Sequence, residues 1–394
     1  MTQASATIDW EHYRNETPAC RDILHFNNAG ASLMPDPVHQ AVVDHLELER
    51  TRGGYEAADL TEAAHEAFYP VFARLLGAQP EEIAYVENAT RAWDMAFYAV
   101  PWQAGDRILT HGVAYASNYM AFLQVAKRHR VAIDLVPSDE SGQVDVNAMA
   151  ERVNARTKLI ALTHIPSQGG LINPAADVGA LARDRGILFL LDACQSAGQL
   201  PLNVAHLGCH MLSGTGRKFL RGPRGTGFLY VSNAVIDQLD PPFIDLHSAT
   251  WTAVDQFVFR AGARRFENWE SYLAGKIGLR HAAEYAMAIG LDAIQTRNQY
   301  LAATLRRRLR DIPGVAVHDQ GRNQCAIVTF TKANEPCPEL AKRLFAQKIN
   351  VSVSTVQTGR LDFAPRGLNT VTRASVHYYN TEAEIERFCE AVAD

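Results

Sequence analysis

The chain has 394 residues, 47% hydrophobic and 21% charged, enough to bury a large core and divide into two domains. A formal net charge of −5, with Arg and His scattered, argues against nucleic acid as a partner. No apolar run reaches membrane-spanning length and the first residues lack a basic-then-apolar leader, so a cytoplasmic protein without a membrane role is expected.

In chain order, Glu87-Asn88-Ala89-Thr90-Arg91 opens a helix after a strand, leaving the backbone N–H groups of Ala89 and Thr90 and the Thr90 hydroxyl able to cradle an anion. From about residue 83 to 231, short apolar runs alternate with helical patterns. The strands are predicted at 107–110, 132–136, 158–163, 187–192 and 226–231, with helices at 115–129 and 174–185. That alternation predicts an α/β domain: a mostly parallel sheet, helices on both faces, and ligands beyond the strands' C-terminal ends. Pro241-Pro242 and the 251–266 stretch interrupt it.

A helix over 273–310 has the length of a spine, and its arginines Arg306, Arg307, Arg308 and Arg310 read as a solvated run. Strands at 324–330, 350–354 and 373–379 and helices at 338–347 and 381–392 predict a small α+β domain. Thr381 and Glu384 stand at capping-box spacing before the last helix. The predicted divisions are an N-terminal segment over 1–30 at the substrate mouth, a large domain over 31–265 and a small C-terminal domain over 266–394. Six cysteines, Cys20, Cys194, Cys209, Cys325, Cys337 and Cys389, show no CxxC pair or zinc spacing, which predicts free thiols and no metal.

Two segments carry the chemistry. The apolar run Ile187 to Leu191 delivers Asp192 to a strand's C-terminal edge. The segment His210 to Val231 sets Lys218 between a Ser/Thr/Gly run and a glycine-rich turn. An acid at a strand end and a lysine about 26 residues on are what pyridoxal 5'-phosphate requires: an amine for a Schiff base and an acid for the pyridine nitrogen. The other sequence-level reading, a cofactor-binding scaffold that has lost catalysis, is weakened by the presence of Lys218, Asp192 and Arg373 together.

With these motifs the chain resembles fold-type I pyridoxal phosphate enzymes, specifically the class V aminotransferase family of cysteine desulfurases, isopenicillin N epimerase and ergothioneine-pathway carbon–sulfur lyases. The resemblance runs from about Leu24 to Asp394. It implies that Lys218 binds the cofactor covalently, that Asp192 pairs with its ring nitrogen, and that Gln195 and Ser167 lie by the ring oxygen. Ala89, Thr90, Thr215 and Arg217 would contact the phosphate, many relatives carrying His where Arg217 stands. Tyr115 occupies the place of a ring-stacking, proton-shuttling histidine. Arg373 would bind the substrate α-carboxylate, and the loop Asn28-Ala29-Gly30-Ala31 would sit at the substrate mouth, with the 248–259 and 356–366 stretches completing the side-chain pocket. Arg360 and Arg366 have two readings, contacts to a second anionic group of the substrate or solvated loop charges, and the second is favoured.

Family members are homodimers. Here Glu270 and Ser271 stand where relatives offer a Gly-Thr phosphate contact across the interface, and the Gly-Thr itself is missing. Desulfurases also carry a loop cysteine about 15 residues before the carboxylate arginine, whereas the 356–365 segment has none. The expected reaction on the amino-acid substrate is therefore β-elimination from an S-substituted cysteine or its sulfoxide. Epimerisation or racemisation and transamination are the alternatives, because all share these residues.

Overall fold

The computed structural model describes residues 9–394, so the first eight residues of the predicted N-terminal segment lie outside the described residues. The five predicted apolar runs are joined by Ile83–Val86 and by Met211–Thr215, which reads in the sequence only as a Ser/Thr/Gly run, in a seven-stranded sheet. Its spatial order is Ile83–Val86, Gly227–Val231, Met211–Thr215, Leu188–Asp192, Thr157–Thr163, Arg107–His111, Ala132–Val136. Neighbours pair in parallel except Gly227–Val231, which is antiparallel to both its partners.

Successive strand residues belong to opposite faces, as the period of two requires. Ile160, Leu162, Phe189, Leu191 and Phe228 join one core with the helices Phe68–Leu76, Ala175–Asp184 and Leu273–Ile289. Leu159, Ala161, Leu188, Leu190 and Leu229 join the other with Ala89–Tyr98 and Ala116–His129. Because both faces are covered, the strands read as unbroken apolar runs rather than as an alternation.

A second, antiparallel sheet has the order Val315–Val317, Ile327–Lys332, Thr370–Ser375, Ser352–Thr355. The helices Leu291–Arg310, Cys337–Ala346 and Glu382–Ala393 pack on it through Leu301, Leu305, Leu340, Leu344, Ile385 and Phe388. Thr381 Oγ1 accepts from Glu384 N at 3.1 Å and the Glu384 carboxylate accepts from Thr381 N at 3.0 Å, completing the capping box. Leu24–His25 pairs in parallel with Ile349–Asn350 and so ties the N-terminal segment to this region.

Three expectations are corrected. The long helix breaks at Gly290, whose φ of 94° ends Leu273–Ile289 and turns the chain into Leu291–Arg310. The arginine run is only partly solvated: Arg306 is buried, its Nε 2.7 Å from Asp319 and its guanidinium donating to the carbonyls of Cys325 and Ile327. The strand predicted to reach residue 379 stops at Ser375, and His377–Asn380 forms a turn closed by Asn380 N to His377 O at 2.8 Å.

Candidate active site

Lys218 follows the strand Met211–Thr215 on a turn gripped from several sides. Gly216 N donates to Thr226 O, Gly222 N to Gly216 O, Arg221 N to Lys218 O, and Ser32 N to Arg217 O. Gly198 lies against this turn at φ 89°, and a Cβ there would come within 2.3 Å of the Phe219 carbonyl carbon. Any side chain at 198 would therefore displace the lysine's support. Arg221, buried and at φ 61°, locks the turn from behind: Nε donates to Leu33 O at 2.8 Å, NH1 to the Tyr378 hydroxyl at 2.5 Å and NH2 to Thr17 Oγ1 at 2.6 Å.

Lys218 is only 8% exposed and makes no salt bridge among the described residues. Burial lowers its pKa to about 8; the nearby Arg217 acts in the same direction, opposed by Cys194 and Asp192. Near neutral pH it therefore holds roughly two orders of magnitude more free amine than an exposed lysine.

The lysine borders a cavity of about 160 Å³ shared with Thr90, Tyr115, Ser167, Asp192, Gln195, Thr215 and Arg217, together with Ala89. Asp192 is fixed at the floor, one oxygen accepting from Asn118 Nδ2 at 2.9 Å and the other from Cys194 N at 2.9 Å. Gln195 Nε2 donates to Ala29 O at 3.1 Å and to Ser167 Oγ at 2.9 Å, which leaves its buried Oε1 without a partner. At the cavity's other end begins the helix Ala89–Tyr98, capped by Asn88, whose side chain accepts from Arg91 N at 2.9 Å. The N–H groups of Ala89 and Thr90 have no intrahelical acceptor and carry the helix's positive end. A Cβ at residue 227 would meet Ala89 N at 3.1 Å, so Gly227 lets the helix start this close to the sheet.

This donor set fits pyridoxal phosphate. The helix end suits a dianionic phosphate, the Asp192 carboxylate a protonated ring nitrogen, and the orphaned Gln195 acceptor a ring hydroxyl. The unpaired, partly neutral Lys218 amine suits the aldehyde.

A second cavity of about 410 Å³ opens beside the first and shares Tyr115, Ser167, Arg217 and Lys218 with it. Arg373 lines it, with its pKa lowered to about 10 by burial and by Arg217. One Arg373 nitrogen donates to Ser167 O at 2.7 Å, another to Asn27 Oδ1 at 3.4 Å, and Nε has no partner. Arg217 donates to Gly30 O and lies between the two cavities.

Several expected residues stand elsewhere. Asn28 is fully buried, donating to Ser375 O at 2.8 Å and accepting from the Tyr379 hydroxyl, so Asn27, Ala29, Gly30 and Ala31 face the cavity in its place. Glu270 and Ser271, expected to act across a dimer interface rather than on this chain's own Lys218, line a separate cavity with Glu87, His247 and Lys276. The 248–259 stretch forms an exposed hairpin, Ala249–Ala253 with Gln256–Phe259, and takes no part in the second cavity. Arg366 is held by Asp362 at 3.0 Å, while Arg360 is exposed.

Sequence reasoning missed Asn118 and Arg221. Only Asn118 left a trace, three residues after Tyr115 and so on the same face of a helix start.

The family model for "Aminotransferase class-V" matches residues 24–388. The chain is 27% identical to a probable cysteine desulfurase of Methanothermobacter thermautotrophicus, over 98% of this chain and 97% of that protein. It is 29% identical to a probable cysteine desulfurase of Xylella fastidiosa, over 98% and 95% respectively. It also superposes on the apo structure of a cysteine desulfurase from Thermococcus onnurineus NA1 with a TM-score of 0.91 and 26% identity, covering 99% of this chain and 98% of that one. A match across nearly the whole chain, over a cavity whose donors fit the cofactor, establishes a pyridoxal phosphate enzyme that belongs to the class V aminotransferase family.

Proposed function

We propose that the enzyme cleaves the carbon–sulfur bond of an S-substituted L-cysteine or its sulfoxide by β-elimination. The observation that carries this reading is a full set of candidate cofactor and carboxylate ligands beside a substrate cavity whose flanking segment, 352–366, contains no cysteine. Sulfur relay by a loop thiol is then not available. Among the free cysteines only Cys194 borders the cofactor cavity, and burial together with Asp192 holds its thiol far from ionisation.

Arg373 holds the substrate carboxylate, and its fork geometry sets the rotation of the substrate about its Cα–N bond. Bound pyridoxal phosphate would supply an electron sink at the substrate Cα. Lys218, whose side chain borders both cavities, would accept the Cα proton at Nζ. Asp192, kept in place by Asn118, would balance positive charge on the cofactor's ring nitrogen. The Cβ–S bond then breaks with its electron pair leaving on sulfur, as thiolate from a thioether or sulfenate from a sulfoxide. Water converts the three-carbon remainder to pyruvate and ammonia.

The test is pyruvate release by the reconstituted enzyme from S-methyl-L-cysteine and its sulfoxide with no keto acid present. Stoichiometric pyruvate is expected. A new amino acid only when a keto acid is added, or a changed enantiomer ratio without pyruvate, would instead assign transamination or epimerisation.

The same reading includes a homodimer. Its support is the number of exposed apolar side chains, Phe243, Leu246, Trp251, Val254, Phe257, Val258 and Trp269, on and beside the 249–259 hairpin, with Trp251 and Phe257 directly opposite each other on one side of it. Light scattering should give twice the mass of one chain, and a monomer at micromolar concentration would refute it.

A further inference from the structure

The second cavity carries more positive charge than the mechanism uses. Arg217, Lys218, Arg224 and Arg373 line it, and no Asp or Glu does. Lys218 acts at the substrate Cα, Arg373 holds the α-carboxylate, and Arg217 also borders the cofactor cavity with its helix end. Arg224 borders the second cavity and not the first, and it makes no salt bridge among the described residues.

Its backbone is fixed while its side chain is open. Thr226 Oγ1 donates to Pro223 O at 2.6 Å, Thr226 O accepts from Gly216 N, and Gly225 turns the chain at φ 75°. Arg224 therefore belongs to the same hydrogen-bonded turn as Lys218. The side chain is exposed, so its donors can be reached by a ligand that enters from solvent. Its charge is felt inside the site: burial lowers the pKa of Arg217, and Arg224 acts in the same direction. Arg217 acts likewise on Arg373. Like charges gathered in a cleft without a carboxylate among them repel one another and draw anions in.

The geometry of the substrate says where that anion belongs. An amino acid with its α-carboxylate on Arg373 and its Cα at Lys218 has only its side chain left to reach Arg224. The remaining lining groups Ser352, Ser354 and Thr358 are neutral and do not oppose a negative charge there.

We propose that Arg224 is a specificity-determining residue that selects S-substituted cysteines whose substituent ends in a carboxylate over neutral substituents of the same size, an inference that rests on the carbon–sulfur lyase reading. A guanidinium meets a carboxylate with two parallel N–H···O bonds, whereas a carboxamide offers it one acceptor oxygen and an NH2 group that cannot accept.

The experiment compares S-carboxymethyl-L-cysteine with its neutral near-isostere S-carbamoylmethyl-L-cysteine on the reconstituted parent enzyme, Arg224→Gln and Arg224→Lys. The readouts are the Kd from the change in cofactor absorbance on mixing and the rate of pyruvate release. Thermal midpoint and cofactor content check folding. A salt titration of the parent needs no variant: the preference should shrink between about 0.05 and about 0.5 M salt, because both compounds share the α-carboxylate and only one carries the second charge.

The parent should favour the carboxylate compound by about 10-fold, the glutamine variant should bring the ratio to within about 2-fold by weaker binding of that compound, and the lysine variant should retain part of it. A parent without preference, a preference that salt leaves unchanged, or equal losses on both compounds in the glutamine variant overturns the assignment. Should the parent bind the carboxylate compound preferentially without releasing pyruvate from either, and the glutamine variant lose that preference, the lyase reading fails while the role of Arg224 stands. Pyruvate release from both compounds at equal affinity gives the reverse.

Discussion

Lys218→Ala is expected to lower turnover by about 10⁴-fold while leaving the protein able to hold its cofactor without a covalent link. The substitution removes both the amine that joins the aldehyde and the base for the Cα proton, and general-base transfer alone accounts for about 10²–10⁴-fold. The remaining cradle, from the Ala89–Tyr98 helix end to Asp192 and Gln195, does not depend on residue 218. Gel filtration after loading should retain colour in the variant, and borohydride should fix none of it to the chain. A variant that turns over at the parent rate would remove Lys218 from the mechanism.

The pH dependence of the parent follows from the same burial. Because the buried ammonium has a pKa near 8 rather than the usual lysine range, the neutral amine is half-populated near pH 8 and approaches its plateau about one pH unit higher. Covalent cofactor uptake by apoprotein should therefore accelerate between about pH 7 and 9 and level off beyond. A rate still climbing steeply past about pH 10 would mean that the lysine is solvated.

Asp192→Asn should cost about 10³-fold in kcat/KM, or about 4 kcal/mol of barrier, on the scale of losing a preorganised charge at a reacting centre. The substitution keeps the shape and removes the charge. It also offers an amide to the two donors, Asn118 Nδ2 and Cys194 N, so one pairing becomes donor against donor. Steady-state pyruvate release with matched cofactor occupancy measures it, and a loss under 10-fold would mean that the ring nitrogen is not paired with this carboxylate.

Much of this architecture was legible because burial on both faces writes strands as unbroken apolar runs, and helix starts carry polar caps. Leu188–Asp192 and the Thr381 capping box were readable for those reasons. The break at Gly290 was not, since a lone glycine inside a helical pattern is compatible with a continued helix and only the divergent packing of its two halves decides. Asn27 and Asn28 show a similar limit. Adjacent identical residues face opposite ways, and which faces the cavity depends on Ser375 and Tyr379, about 350 positions away. Arg306 read as surface charge, and Arg221 carried no signal of its role, because their partners, Asp319 and the carbonyl and hydroxyl groups around them, are assembled only by the tertiary fold.

Arg221 also orders events in time. Its three ligands come from Thr17, Leu33 and Tyr378, separated from it by 204, 188 and 157 residues. Contacts so distant in sequence close their loops late, and a chain emerging from the ribosome lacks Tyr378 until 157 residues after Arg221 have been made. The strands of the large sheet can pair before then, but the support behind the lysine turn cannot be complete. The catalytic turn is therefore finished only once the Tyr378 segment has docked behind it.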